Sequence, residues 1–350
     1  MAKRKDEFYP SRLGFSAGLI TFFVPIAVLG LMFWALTILL PDRWFNTETL
    51  PLLDNDKGAL QRFAHDIEGR VSFSIWSVVV WLAAAVSVGL AFVVLRRTLS
   101  SRAAFLGLVP ALVIGLAIGC IFSRGEYSSC QKSAGTLPAV VALDVSKGFR
   151  QVVIDNIMCR FELANSPKAI VLLKTEGMIQ ANTLIGFAGA AALMAAFAGL
   201  AMWNGDGPGV AQLRRRLEDF KTLTLMGSIL FVLNALVTRS LVTWTQNMLA
   251  SSDEVANFTP LSNALLNDWA AESSVVFFTV IAFAAIFLYC QIHWAAEAAG
   301  SANPAVFDEA KWKTDNGLTF ETTTVVTATI GTIAPLLASP AADLIGKMIH

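Results

Sequence analysis

Six stretches of this chain, at 13–40, 73–95, 103–122, 178–202, 223–242 and 275–294, are apolar from end to end, and polar segments separate them. A hydrocarbon core about 30 Å thick needs about 20 apolar residues rising about 1.5 Å each. All six stretches meet that length with almost no charge inside. The pattern predicts an all-α polytopic membrane protein: a six-helix transmembrane bundle with a small structured extracytoplasmic loop domain. Pro25 and Pro110 fall inside the first and third stretches; each is expected to bend its helix, which bundles tolerate where neighbours satisfy the freed carbonyl.

The segments between the spans differ in character. Residues 1–12 form a short basic N-terminus, 41–72 a polar first loop with a short helix expected over 57–67, and 123–177 a long third loop. In that third loop the Val- and Ile-rich runs 139–145, 151–163 and 169–175 are separated by Ser146-Lys147-Gly148 and Asn165-Ser166-Pro167. Such punctuation predicts short strands, with an amphipathic helix as the alternative for the middle run. The tail 295–350 ends in a mildly apolar segment, 322–349, diluted by Thr327, Thr329 and Thr332 and broken by Pro335 and Pro340. An interfacial or re-entrant helix is favoured there over a seventh crossing.

Composition agrees with lipid as solvent. Residues AVILMFWYC are 55% of the chain and charged residues only 15%, well below the roughly 25% of soluble domains. Formal net charge is zero, and no nucleic-acid-binding signature occurs, so DNA or RNA is not an expected partner. The first apolar run is too long for the 7–15 residues of a signal h-region and is read as a retained helix.

Charge placement sets the expected threading. Lys3, Arg4, Lys5 and Arg12 precede the first span; Arg96, Arg97 and Arg102 fill the second connection; Arg214, Arg215, Arg216 and Lys221 fill the fourth. The fifth connection has no Lys or Arg and carries Asp253, Glu254, Asp268 and Glu272. Basic short loops stay on the cytoplasmic side. Both termini are therefore expected in the cytoplasm, in a plasma or bacterial inner membrane. Trp44, Trp76, Trp203, Trp244 and Trp294 fall near span ends, where an indole prefers the headgroup region.

Candidate chemistry is sparse. No Asp, Glu or Lys lies near the middle of any span, which argues against proton-coupled pumping. Asn234, Thr238 and Arg239 in the fifth span are the candidates for a polar pathway; the simpler reading lets Arg239 snorkel to the interface. Three histidines, His65, His293 and His350, are too scattered for a metal site, and neither a catalytic cluster nor a cofactor motif is found. Asp54-Asn55-Asp56-Lys57-Gly58 resembles the start of a calcium loop but lacks its later ligands, so a turn is the better reading.

Cys130 and Cys159 are the natural disulfide pair, because both belong to the third loop, and closing it would stabilise that loop by about 3–4 kcal/mol outside the cell. Cys120 allows two other pairings, and four free buried thiols are an equal alternative. Gly115 and Gly119 form a G-x-x-x-G element, and Gly186 and Gly189 lie among the small residues of the fourth span, a pattern that lets helix backbones approach in lipid.

Two function classes follow. The first is a non-enzymatic transport or channel component, with a pathway beside the fifth span. The second is an envelope sensor or assembly subunit that binds a partner through 123–177. Beyond the lipid bilayer, the expected partners are a homo-oligomer or other membrane subunits.

Overall fold

A computed structural model describes residues 12–39, 59–99, 101–124, 169–203, 209–246, 252–301 and 307–319. Six long helices make up the body: α1 (Arg12–Leu39), α2 (Ala59–Thr98), α3 (Ser101–Arg124), α4 (Ala169–Ala201), α5 (Val210–Gln246) and α6 (Ser252–Ser301). A short α7 (Glu309–Asp315) follows. All six long helices contain a window long and apolar enough to cross a membrane. The described residues contain no strand.

Several helices outrun the apolar stretches that announce them. The expected short helix at 57–67 is the start of α2, which runs unbroken through the second span. α5 begins at Val210 and α6 at Ser252, so most of the fourth and fifth connections are helical. Residues 169–175, read as a strand, are the first turns of α4. The strand reading fails because Ile170, Val171, Leu172 and Leu173 lead directly into an apolar helix, and helical backbone satisfies its own hydrogen bonds without a neighbouring strand. The runs 139–145 and 151–163, the Asp54–Gly58 turn and the segment 322–349 lie outside the described residues. α1 and α3 remain helical through Pro25 and Pro110.

Pairwise contacts give an up-and-down order around α4. On α3, Gly115 meets Phe187, Ala188 and Ala191, whereas Gly119 meets Leu184, so α3 runs against α4. α2 runs with it: Trp81 bonds Asn182, Gly189 abuts Ala84, and Gly199 abuts Leu95. α5 runs against it, with Asn234 beside Gly186 and Leu230 beside Gly189. Gly18 near the start of α1 lies against Ala198 and Met202 at the end of α4. The apolar window of α4 is 61% buried, against 28–39% for the other five. That difference makes α4 the central helix.

Glycine and alanine explain how one helix can take so many neighbours. A Cβ at Gly115 would lie 2.7 Å from the Phe187 carbonyl oxygen, and one at Gly189 would lie 2.9 Å from Ala84 Cβ. Backbones packed this closely gain the dispersion contacts that hold helices together when no water is expelled. The core cluster joins Ala84, Ala192, Ala196, Phe197, Leu213, Phe220 and Leu288. Large apolar side chains also cover the outside, among them Leu82, Val86, Phe105, Leu106, Val113, Phe278 and Ile286.

Arg96, Arg97, Arg102 and Arg214–Arg216 all belong to one end of this bundle, where α2 ends and α3 and α5 begin. The same end is capped by 307–318. Asp308 opens α7 by accepting from Lys311 N–H at 3.1 Å. Gly317, at φ +65, closes it in the left-handed conformation, with Leu318 N–H returning to the Lys313 carbonyl at 2.8 Å. This turn delivers Leu318 into the main core at 1% exposure.

Candidate functional site

The polar groups of the bundle fall into three places. The first is the C-terminal end of α4, whose last carbonyls have no partner within their own helix. Arg216 Nη1 donates to the carbonyls of Leu200 and Met202 and to Gln291 Oε1, the last at 2.6 Å. Gln291 Nε2 donates to the carbonyls of Leu200 at 3.0 Å and Ala201 at 3.2 Å. One side chain from α5 and one from α6 thus cap α4 together. The cation sits at the negative end of the helix dipole, where it is favoured.

Arg216 is 1% exposed and Gln291 likewise. The reason lies in the stripe Leu213, Arg216, Leu217, Phe220, Leu223 and Thr224, which is buried along one face of α5. The helix phase that buries those apolar residues carries Arg216 inward, while Arg214 and Arg215 stay exposed. Arg216 Nε has no hydrogen-bond partner.

The second place is between α2 and α5. Arg97 Nη1 donates to Asp219 Oδ1 at 2.9 Å, and Asp219 is buried. Its Oδ2 has no hydrogen-bond partner among the described residues. The pair ties the end of α2 to the first turns of α5.

The third place is inside the apolar windows of α2 and α4. Trp81 Nε1–H donates to Asn182 Oδ1 at 2.6 Å, and Asn182 Nδ2 donates to Ser77 Oγ at 2.7 Å. Ser77 in turn donates to the Phe73 carbonyl. Every polar atom of the Asn182 amide is used, as a low-dielectric setting requires.

The residues singled out from sequence sit beside these groups. Asn234 Nδ2 donates to its own Leu230 carbonyl at 2.8 Å, and its Oδ1 rests against Gly186, one turn along α4 from Asn182. Thr238 donates to the Asn234 carbonyl at 3.0 Å. Thr238 is buried, as are Thr224 and Ser228, which bond back to the carbonyls of Phe220 and Thr224. Arg239, half-buried, follows Thr238. Gly115, Gly119, Gly186 and Gly189 all lie at interhelical contacts. Cys130 and Cys159 lie outside the described residues; among the described residues Cys120 and Cys290 form no disulfide. Trp203 departs from the headgroup reading: it is buried, edge-on to Trp294 at 5.0 Å.

At the outer surface of α6, His293 Nδ1 meets Glu309 Oε1 at 2.9 Å and His293 Nε2 lies 3.4 Å from Glu297. Lys313 pairs with Glu309 and stands 4.9 Å over the Tyr289 ring. Hydrogen bonds from Lys313, and then from His293, hold the Glu309 carboxyl below the usual range. Among the described residues no group of His, Cys, Asp and Glu is arranged to hold a metal ion.

The chain matches no family model, no curated protein and no solved structure. Arg216, Asp219, Gln291 and Asn182 were not singled out by the sequence reading. A helical stripe running back from the fifth span through Leu217 and Leu213 was the available signal for Arg216, because it continues into the basic run.

Proposed function

We propose that the chain is an integral membrane protein of a plasma or bacterial inner membrane, with the arginine-dense end in the cytoplasm, and that it is a non-enzymatic transport or channel component. One observation carries the transport reading. A column of polar groups, Thr238, Asn234, Thr224 and Arg216, shares one face of α5 along its apolar window. Polar side chains at membrane depth are costly and concentrate where a solute or water passes. Here the column is closed. The hydroxyls and the Asn234 amide are turned onto their own helix, Gly227 abuts Phe277, and Arg216 with Gln291 clasps the cytoplasmic end. Passage requires α5 to move away from α4 and α6, and the clasp is what holds it.

Flux measured in liposomes containing the pure protein tests this. Asn234→Leu is expected to abolish it and Gln291→Leu, which loosens the clasp, to raise it. A bilayer silent to ions and small neutral solutes, with both variants silent too, refutes the pathway.

A second reading rests on a different observation. α6 has about 21 residues beyond its apolar window, about 31 Å of helix at 1.5 Å per residue. α2 and α4 extend past their windows at the same end. Helix projecting that far suits docking of a partner or a second copy by a sensor or assembly subunit, together with 123–177. Capture of a membrane partner that is lost on deleting 123–168, with no flux, supports that role instead.

A further inference from the structure

Among the described residues, the cytoplasmic corner formed by the ends of α2, α3 and α5 carries more positive charge than neighbouring carboxylates neutralise. Five arginines, Arg96, Arg97, Arg102, Arg214 and Arg215, stand there with two carboxylates, Glu218 and Asp219. Asp219 is taken by Arg97 at 2.9 Å and also feels the charge of Arg215. Glu218 stands 3.7 Å from Arg214, with both side chains about two-thirds exposed. Arg96, Arg102 and Arg215 are exposed. The Arg97–Asp219 pair fixes α2 against α5, and a connection of two residues, Leu99 and Ser100, fixes α2 against α3. The spacing of the charges is therefore built into the fold.

Below these arginines the same helix faces are apolar and, among the described residues, uncovered. On α2, Val93, Val86 and Leu82 follow Arg96 at helical spacing, exposed by 41–64%. On α3, Phe105, Leu106, Val109 and Val113 follow Arg102, exposed by 38–71%. Residues three and four apart share a helix face, so each column has a guanidinium at its head and an apolar wall beneath. From Arg102 to Val113 the wall descends about 16 Å at 1.5 Å per residue, close to the roughly 15 Å of one leaflet's hydrocarbon.

We propose that this corner is a binding surface for an acidic phospholipid of the cytoplasmic leaflet, its phosphate held by Arg96, Arg102 and Arg215 and its acyl chains laid along Val93, Phe105 and Leu106. Guanidinium groups match phosphate oxygens bidentately, and basic groups at the cytoplasmic face favour anionic headgroups. A free phosphate matches the arginines but not the apolar columns, so the occupant is a lipid. The surface presupposes the membrane placement proposed above. Placement is read by labelling on cells and lipid choice in detergent, so each can fail without the other.

Native mass spectrometry of the purified full-length chain, exposed to equimolar phosphatidylglycerol and phosphatidylcholine, tests it. The wild type is expected to retain phosphatidylglycerol in preference. The variant Arg96→Gln/Arg102→Gln/Arg215→Gln, confined to exposed side chains, is expected to lose at least about tenfold of that preference, and Arg102→Gln alone part of it. Lys311→Gln, an exposed cation of α7 at the same end, is expected to leave it unchanged, and inorganic phosphate is expected not to displace the lipid. Equal retention of both lipids by the wild type overturns the proposal. So does an undiminished preference in the triple variant, an equal loss in Lys311→Gln, or displacement by phosphate alone.

Discussion

Arg216 and Gln291 approach to 2.6 Å and divide the terminal carbonyls of α4 between them, the guanidinium taking Leu200 and Met202 and the amide taking Leu200 and Ala201. Two helices thus converge on one end of a third through two side chains. Because both are almost wholly buried, water cannot replace either partner. Gln291→Leu is expected to destabilise the bundle by about 1.5–3 kcal/mol, the range for a hydrogen bond to a charged group, and Arg216→Met by as much or more, since it strands three acceptors. Thermal unfolding in detergent checks this. Arg216→Lys tests whether one cationic nitrogen suffices, since all three bonds leave from Nη1 and an ammonium carries three donors.

The Arg97–Asp219 tie is weaker. The Arg97 side chain is 49% exposed, so solvent screening leaves its coupling to Asp219 at about 1 kcal/mol or less. A double-mutant cycle with Arg97→Gln and Asp219→Asn, read by unfolding at two salt concentrations, should return a small coupling that shrinks as salt rises.

Close packing around α4 separates glycines that matter from glycines that do not. A Cβ at Gly115 or Gly189 would meet backbone or alanine within 2.9 Å, while at Gly89 or Gly107 it would meet nothing within 4 Å. Gly115→Val and Gly189→Val are expected to cost about 1–3 kcal/mol or to prevent assembly. Gly107→Val should be silent. Monodispersity on gel filtration and the unfolding temperature tell them apart.

The Asn182 network gives a counterpart inside the apolar windows of α2 and α4. Asn182→Leu removes the acceptor of Trp81 and the donor to Ser77, and is expected to cost about 1–2 kcal/mol. The bond from half-buried Trp81 to α4 also makes its fluorescence a reporter: a shift should accompany Asn182→Leu and be absent when the same change is made in a Trp81→Phe background.

Docking of α7 should depend on pH through Glu309. Its carboxyl titrates below the ordinary range because Lys313 and His293 bond the charged form. A lowered folded pKa stabilises docking above the ordinary carboxylate pKa, and that contribution disappears as pH falls through the folded value. Hydrogen exchange over 309–318, corrected for intrinsic rate, should therefore stay protected from neutral pH to mild acid and open at stronger acid. Glu309→Gln should remove the step.

Hydropathy located the six helices long and apolar enough to cross a membrane because a crossing demands about 20 apolar residues in a row, and the small residues at Gly115 and Gly189 were visible because close approach demands them. The helix lengths were hidden. Once a helix leaves lipid its polar residues resemble a loop, and so the starts of α5 and α6 were read as connections. Arg216 was hidden for a related reason: in Arg214-Arg215-Arg216 three identical residues meet three environments, and only the phase of Leu213, Leu217 and Phe220 tells which one turns inward. Asp219 and Gln291 acquire meaning only from partners on other helices, 122 and 75 residues away in sequence.

The most direct test of the membrane placement is side-specific labelling. With the native cysteines replaced, single cysteines at Arg215 and Lys311, on the arginine-dense end, and at Glu254, on the projecting start of α6, can be challenged with a membrane-impermeant maleimide on intact cells. Labelling at 254, with 215 and 311 reactive only after permeabilisation, is the expected result. Reaction at 215 and 311 on intact cells with 254 protected, or equal reaction at all three, would contradict six crossings with the basic end in the cytoplasm.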